Sequence, residues 1–194
     1  MLIERDANHK YTIDDQPVPG VSEILQGVGY VDSRHFNAES RRRGTHVHIV
    51  TAAWDRGDLV MGQVHRLGLD YTLPYLEAWK KFRNDTGFVP TEIECVVGHP
   101  TLMYAGTLDR LGDWDGERVL VDIKTGGPEP CHGVQTKAYA EPVSPLLPRF
   151  GVYLSDDGKY KVHEYRLWDD WDAFVAALSV WKWKERHGLN RRDN

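Results

Sequence analysis

Apolar positions change their period along this chain. "VPTEIECVVGH", "LMYAGTLDRLG" and "RVLVDIKT" alternate or run apolar in strand fashion, separated by His99 with Pro100 and by the turn "DWDGE", and predict a three-stranded meander. Residues 37 to about 55 and the stretch "LDYTLPYLEAWKKFRNDTG" carry aromatic and aliphatic residues at helical spacing, the second helix starting near Pro74 and stopping at Gly87. Upstream, "YTIDDQPVPGVSEIL" reads as a short hairpin turning at "DDQ", then Pro19, Gly20 and a helix capped by Ser22. Downstream come a helix through "GVQTKAYAEPV", two strands in "RFGVYLSDDGKYKVHEYRL" hinged at "DDGK", and a closing helix in "DDWDAFVAALSVWKWKERHG", with a frayed "NRRDN" tail. No repeat, low-complexity tract or linker interrupts the order. The expectation is one α/β domain over 1–194, a central mixed β-sheet flanked by helices, in three parts: hairpin and helix (1–36), a middle core (37–142), and terminal strands and helix (143–194).

Within the meander, charge falls where apolar residues belong. Side chains alternate across a strand, so Ala105, Thr107, Asp109 and Leu111 share one face while Tyr104, Gly106, Leu108 and Arg110 share the other. In the next strand Val119, Val121 and Ile123 form one face, and Leu120, Asp122 and Lys124 the other. A strand apolar on both sides until its last residues is a central strand whose end opens into a site. Asp109, Asp122 and Lys124 need partners there, because burying an unpaired charge is costly.

Composition narrows the choice. At 194 residues with 41% hydrophobic content the chain can build a proper core without disulfides, and its two cysteines, Cys95 and Cys131, lack zinc or iron-sulfur spacing. Both read as free thiols of a reducing compartment. No apolar run approaches the roughly 18 residues of a membrane span, and "MLIERDANHK" lacks a signal's apolar region, so a cytoplasmic protein without a membrane partner is expected. A net charge of −5 argues against coating nucleic acid by bulk charge, but leaves room for a local basic groove beside an acidic, cation-binding pocket.

Two carboxylates from adjacent strands are hard oxygen ligands suited to Mg²⁺ or Mn²⁺, and a nearby lysine can orient or deprotonate an attacking water. The competing reading of the same spacing is a surface ion pair between Asp122 and Lys124. Basic residues cluster at Arg41, Arg42 and Arg43, and again at Lys80, Lys81 and Arg83, either solvated helix faces or clamps for a phosphate backbone.

The motifs "RRRGTHVH", "AGTLDRLG", "VLVDIKTGG" and "QTKAY" resemble the RecB-like branch of the PD-(D/E)XK nuclease superfamily, whose pattern runs GTxxH, a glutamate-bearing strand, GxxD, (D/E)xK and QxxxY. The chain meets those elements in order from Gly44 to Tyr139. The resemblance implies His48, Asp109, Asp122 and the backbone carbonyl of Ile123 as metal ligands, and Lys124 as the catalytic lysine. Glu92 best matches the glutamate of the first strand, with Glu94 one pleat along as its rival, and His46 competes with His48. Gln135 helps hold the lysine or a substrate phosphate, and Tyr139 contacts the strand being cut. Beside such a site Arg41, Arg42 and Arg43 become a phosphate clamp. With two cysteines the iron-sulfur members are excluded, and no GxxxxGK[ST] motor motif is present. What this implies is a Mg²⁺- or Mn²⁺-dependent deoxyribonuclease acting on DNA ends or single strands in recombination, repair or phage DNA processing, with partner proteins of such a pathway. The alternative is a catalytically idle nucleic-acid-binding module on the same fold.

Overall fold

A computed structural model describes residues 1–31 and 38–190. The expected helix start at Asn37 and the residues 191–194 of the expected tail lie outside the described residues. Three short strands, β1 (Ile3–Arg5), β2 (Tyr11–Ile13) and β3 (Gln16–Val18), form a small antiparallel sheet. Asp14 and Asp15, both in the left-handed region at φ 46° and 63°, make the two-residue turn between β2 and β3. β1 has only three residues and no alternating signal, and was not foreseen.

Helix α1 (Val21–Gly27) has Gly20, not Ser22, at its N-cap, and no side chain caps it. Ser22 lies inside the helix. Next come α2 (Ala38–Arg56), α3 (Met61–Arg66), a 3-10 turn at Asp70–Thr72 and α4 (Leu73–Thr86). Pro74 stands in the first turn of α4, and Gly87 ends it at φ 70°, where a residue with a Cβ would be strained.

The main sheet is built from β4 (Val89–His99), β5 (Tyr104–Trp114), β6 (Glu117–Lys124), β7 (Arg149–Leu154) and β8 (Tyr160–Glu164), in that spatial order. Helix α5 (Pro130–Ala140) connects β6 to β7, which pair in parallel, while every other neighbouring pair is antiparallel. Helix α6 (Asp170–Arg186) closes the described chain. The mixed sheet flanked by helices is the fold expected.

Two apolar layers hold it. On one face Leu108, Leu111 and Leu120 pack with Ile24 and Leu25 of α1, Ala138 and Tyr139 of α5, and Phe174 and Leu178 of α6. On the other, Val119, Val121, Ile123 and Val152 pack with Val47 of α2 and with Tyr75, Trp79 and Phe82 of α4. A buried side chain of this size contributes about 1.5–3 kcal/mol relative to exposure, so both helix layers are tied to β6 by several such contacts.

The decisive feature is a fork. The β5–β6 ladder runs from Trp114 opposite Glu117 to Arg110 opposite Val121, while the end of β6 pairs with β7 from Leu120 to Lys124. Beyond Arg110 the two strands part, and Asp109 and Asp122 stand at the opening. β4 carries a bulge between Pro90 and Glu92, and Glu94 adopts φ 54° within the strand. Strict alternation fails here for both strands.

Candidate metal centre in the fork of the sheet

Asp109 is 8% exposed and closes the fork, its Oδ2 accepting the Ile123 N–H at 2.6 Å. A side-chain oxygen thus takes the place of a carbonyl in the ladder. Its Oδ1 lies 3.3 Å from His48 Nδ1, and Glu94 Oε1 lies 3.7 Å from the same nitrogen. The ligand atoms of His48, Glu94 and Asp109 all fall within 4.8 Å of one another. One imidazole nitrogen and two carboxylates fit a hard divalent cation such as Mg²⁺ or Mn²⁺.

Asp122, on the other prong, turns to Lys124, with Oδ2 2.5 Å from Nζ in an ion contact that is not aligned as a hydrogen bond. Lys124 also donates to Gln135 Oε1 at 3.0 Å. Gln135 in turn donates to the Tyr139 hydroxyl at 3.1 Å and reaches Ser22 Oγ at 3.5 Å. The four-residue spacing on α5 puts Gln135 and Tyr139 on one helix face. Tyr139 can lie flat on β5 because residue 106 is glycine, where a Cβ would overlap the ring. Tyr139 also lines a cleft of about 650 Å³ between the N-terminal sheet, α1 and the end of α6, with Lys10, Ser22, Trp181 and Lys184 among its walls.

Burial opposes charge on His48, but Asp109 and then Glu94 outweigh it and push its pKa up to about 10. Burial would raise Asp109, yet His48 and Lys124 pull it down to about 2. Asp122 goes the other way, to about 6, because burial and the neighbouring Asp109 charge together exceed the help from Lys124. Burial disfavours the Lys124 ammonium, but Asp122 and Asp109 raise its pKa above the ordinary value. Protons on His48 and Lys124 offset the charge of the carboxylates around them.

The structure thus brings together His48, Asp109, Asp122, Lys124, Gln135 and Tyr139, with Ile123 contributing its N–H to Asp109. It does not bring Glu92. That carboxylate pairs with Arg118 and accepts from the Cys95 thiol at 3.3 Å, whereas Glu94 meets His48 and Asp109. Of the two glutamates, the structure brings Glu94 rather than Glu92 to His48 and Asp109. The left-handed conformation of Glu94 separates two residues that a regular pleat would have kept on one face. His46 is engaged with Tyr71, away from the cluster. Arg41 and Arg42 are exposed on α2, while Arg43 is half-buried beside Tyr75. Both cysteines are free thiols.

Arg110 is a second correction. The alternation expected it beside Leu108, but it is fully buried on the α2 and α4 side, bonded to Asp55 and Thr51 and stacked over Trp79. Neither Arg110 nor Asp55 was among the expected site residues. Only the position of Arg110 directly after the motif aspartate hinted at it.

Among solved structures the chain is similar to the alkaline exonuclease LHK-Exo from Laribacter hongkongensis, with a TM-score of 0.51 at 16% identity over 88% of each chain. The LHK-Exo complex with dAMP gives a TM-score of 0.52 at 15% identity over 89% of each chain. The shared feature is the fold. No family model and no curated protein matches the chain. No helix among the described residues is long and apolar enough to cross a membrane.

Proposed function

We propose that this protein is a metal-dependent deoxyribonuclease of the RecB-like kind, hydrolysing phosphodiester bonds from DNA ends or in single strands. The observation that carries the reading is the fork between β5 and β6, where the ligand atoms of His48, Glu94 and Asp109 meet on one prong and the Asp122–Lys124 ion pair stands on the other. LHK-Exo, a solved exonuclease of similar fold, supports it. His48, Glu94 and Asp109 would hold Mg²⁺ or Mn²⁺, with Asp122 and the Ile123 carbonyl beside them. A cation there supplies positive charge for the oxygens on which charge develops as the ester is cut.

The chain's own residues do the rest. Lys124, an ammonium held by Asp122 and Gln135, adds a fixed positive charge next to the phosphate and orients the attacking water. Gln135 holds that lysine, and its amide keeps the Tyr139 hydroxyl turned towards the fork. Tyr139 supports the strand being cut. The cleft beyond it has nucleotide dimensions, with the cations Lys10 and Lys184 and the aromatic Trp181 in its walls, and suits a strand end better than an unbroken duplex. Arg41 and Arg42, exposed on α2, add backbone contacts that carry no sequence information.

The test is incubation with end-labelled linear duplex, single strands and covalently closed circular duplex, in Mg²⁺, Mn²⁺ or chelator. Linear and single-stranded DNA should shorten progressively in metal and persist in chelator, while the closed circle survives. Rapid cutting of the circle into discrete fragments would overturn the end preference. Binding without cleavage in either metal would leave the idle binding module.

A further inference from the structure

Beneath the proposed cation ligands lies a charged network that no motif requires. Asp55, fully buried at the end of α2, accepts Arg110 Nε at 2.6 Å, Arg83 Nη1 at 2.8 Å and the Trp79 indole N–H at 3.0 Å. The Arg110 guanidinium, also fully buried, spends its remaining donors upward. Nη1 reaches Glu94 Oε1 at 3.1 Å and the Asp109 carbonyl at 2.7 Å, and Nη2 reaches Thr51 Oγ1 at 3.2 Å.

We infer that Arg110, aimed by Asp55, is a positioning residue that holds Glu94 and the Asp109 backbone in the geometry that takes the divalent cation. Three facts converge on it. Glu94 stands in a left-handed conformation inside a strand, which costs about 1–3 kcal/mol and persists only where surroundings over-determine it. Arg110 is the group that grips Glu94 from below while His48 lies on its other side, at the same carboxylate oxygen. A planar guanidinium with five donors fixes direction as well as charge, and Asp55, Thr51 and the face of Trp79 lock its own orientation. Arg110 therefore couples one ligand's side chain and the neighbouring ligand's backbone through a single rigid group. A buried ion pair serving stability alone would need Asp55 but not the two contacts toward the fork.

This inference rests on the proposed metal centre, so the experiment reads cation binding directly. Mn²⁺ is titrated into the full chain and free Mn²⁺ followed by electron paramagnetic resonance, with thermal melting in chelator run alongside. Wild type is compared with Asp55→Asn, Arg110→Lys and Phe174→Leu, the last a core change in α6 on the opposite face of the sheet, which loosens the fold away from the network. Asp55→Asn and Arg110→Lys should each weaken Mn²⁺ binding about tenfold or more, the usual cost of losing an outer-shell partner, while Phe174→Leu lowers the melting temperature and leaves Mn²⁺ affinity within twofold. Arg110→Lys keeps the charge and loses the fork, so failure of lysine to rescue assigns the effect to orientation. If Arg110→Lys does not fold, Asp55→Asn alone decides. Unchanged Mn²⁺ affinity in Asp55→Asn, or equal weakening in Phe174→Leu, overturns the inference. Absence of Mn²⁺ binding in wild type overturns the metal centre itself, and with it this role.

Discussion

Two places among the described residues gather a histidine with acidic or thiol groups closely enough to suggest a metal, and they are opposites. In the fork, His48, Glu94 and Asp109 meet; at the head of α5, Glu129, Cys131 and His132 do, all within the same 4.8 Å. The second cluster has already used its donors. The Glu129 side chain and the His132 ring form a reciprocal capping box, His132 Nδ1 contacts the Tyr153 hydroxyl at 2.9 Å, and the Cys131 thiol donates to Glu129 at 3.6 Å. Burial and nearby Lys124 press His132 down to about 3, and burial and Glu129 push Cys131 up to about 11. A neutral imidazole and a protonated thiol beside a cation are a helix cap. Two carboxylates that hold a proton on a neighbouring imidazole offer charge that a cation could meet instead. Proximity of donor atoms is common to both; charge balance separates them.

The largest expected contrast is catalytic. Asp109→Asn should reduce cleavage at least about a thousandfold, since it removes a charged ligand and the acceptor that closes the fork, whereas Cys131→Ser should stay within a few-fold of wild type. Single-turnover rates on end-labelled DNA measure both, and a comparable loss in Cys131→Ser would bring the two clusters back to equal standing.

Next is metal demand. His48→Ala should raise the Mn²⁺ concentration for half-maximal activity by about 10–100-fold, and His132→Gln should leave it unchanged. Equal responses would refute the distinction.

The last contrast, and the one with a sign, is in stability against pH without metal. His48, raised to about 10 in the fold, contributes stability that is complete below its ordinary 6.5 and lost as pH climbs to about 10. His132, lowered to about 3, favours the fold above 6.5 and loses that contribution as pH falls towards 3. Each limb has a slope of up to about 1.4 kcal/mol per pH unit. Melting in chelator from pH 4 to 10 should show His48→Gln flattening the alkaline limb and His132→Gln the acid one. Both variants flattening the same limb would contradict the assignment.

The meander, the helix from Pro74 to Gly87 and the positions of Asp109, Asp122, Lys124, Gln135 and Tyr139 were legible in the chain because each rests on a local period or a short spacing. Residues two apart on β6 and four apart on α5 share a side because that strand and that helix stay regular. Asp109 and Asp122 face each other only because a two-residue turn joins their strands. Glu94 in place of Glu92 was not legible, because the left-handed conformation of Glu94 breaks the pleat between them, and its surroundings rather than any local period hold it there.

Arg110 shows the same limit more sharply. Alternation assigned it to the Leu108 side, and the parting of β5 from β6 turned it to the other, where Asp55 waits 55 residues earlier in the chain. No period connects those two positions. The sequence by itself determined which carboxylates and lysine the strands would present and which glutamine the helix after them would, through rules acting over two to four residues. The tertiary structure alone decided which glutamate joins them and which buried arginine holds it, because those follow from where paired strands separate and which helix packs beneath the gap.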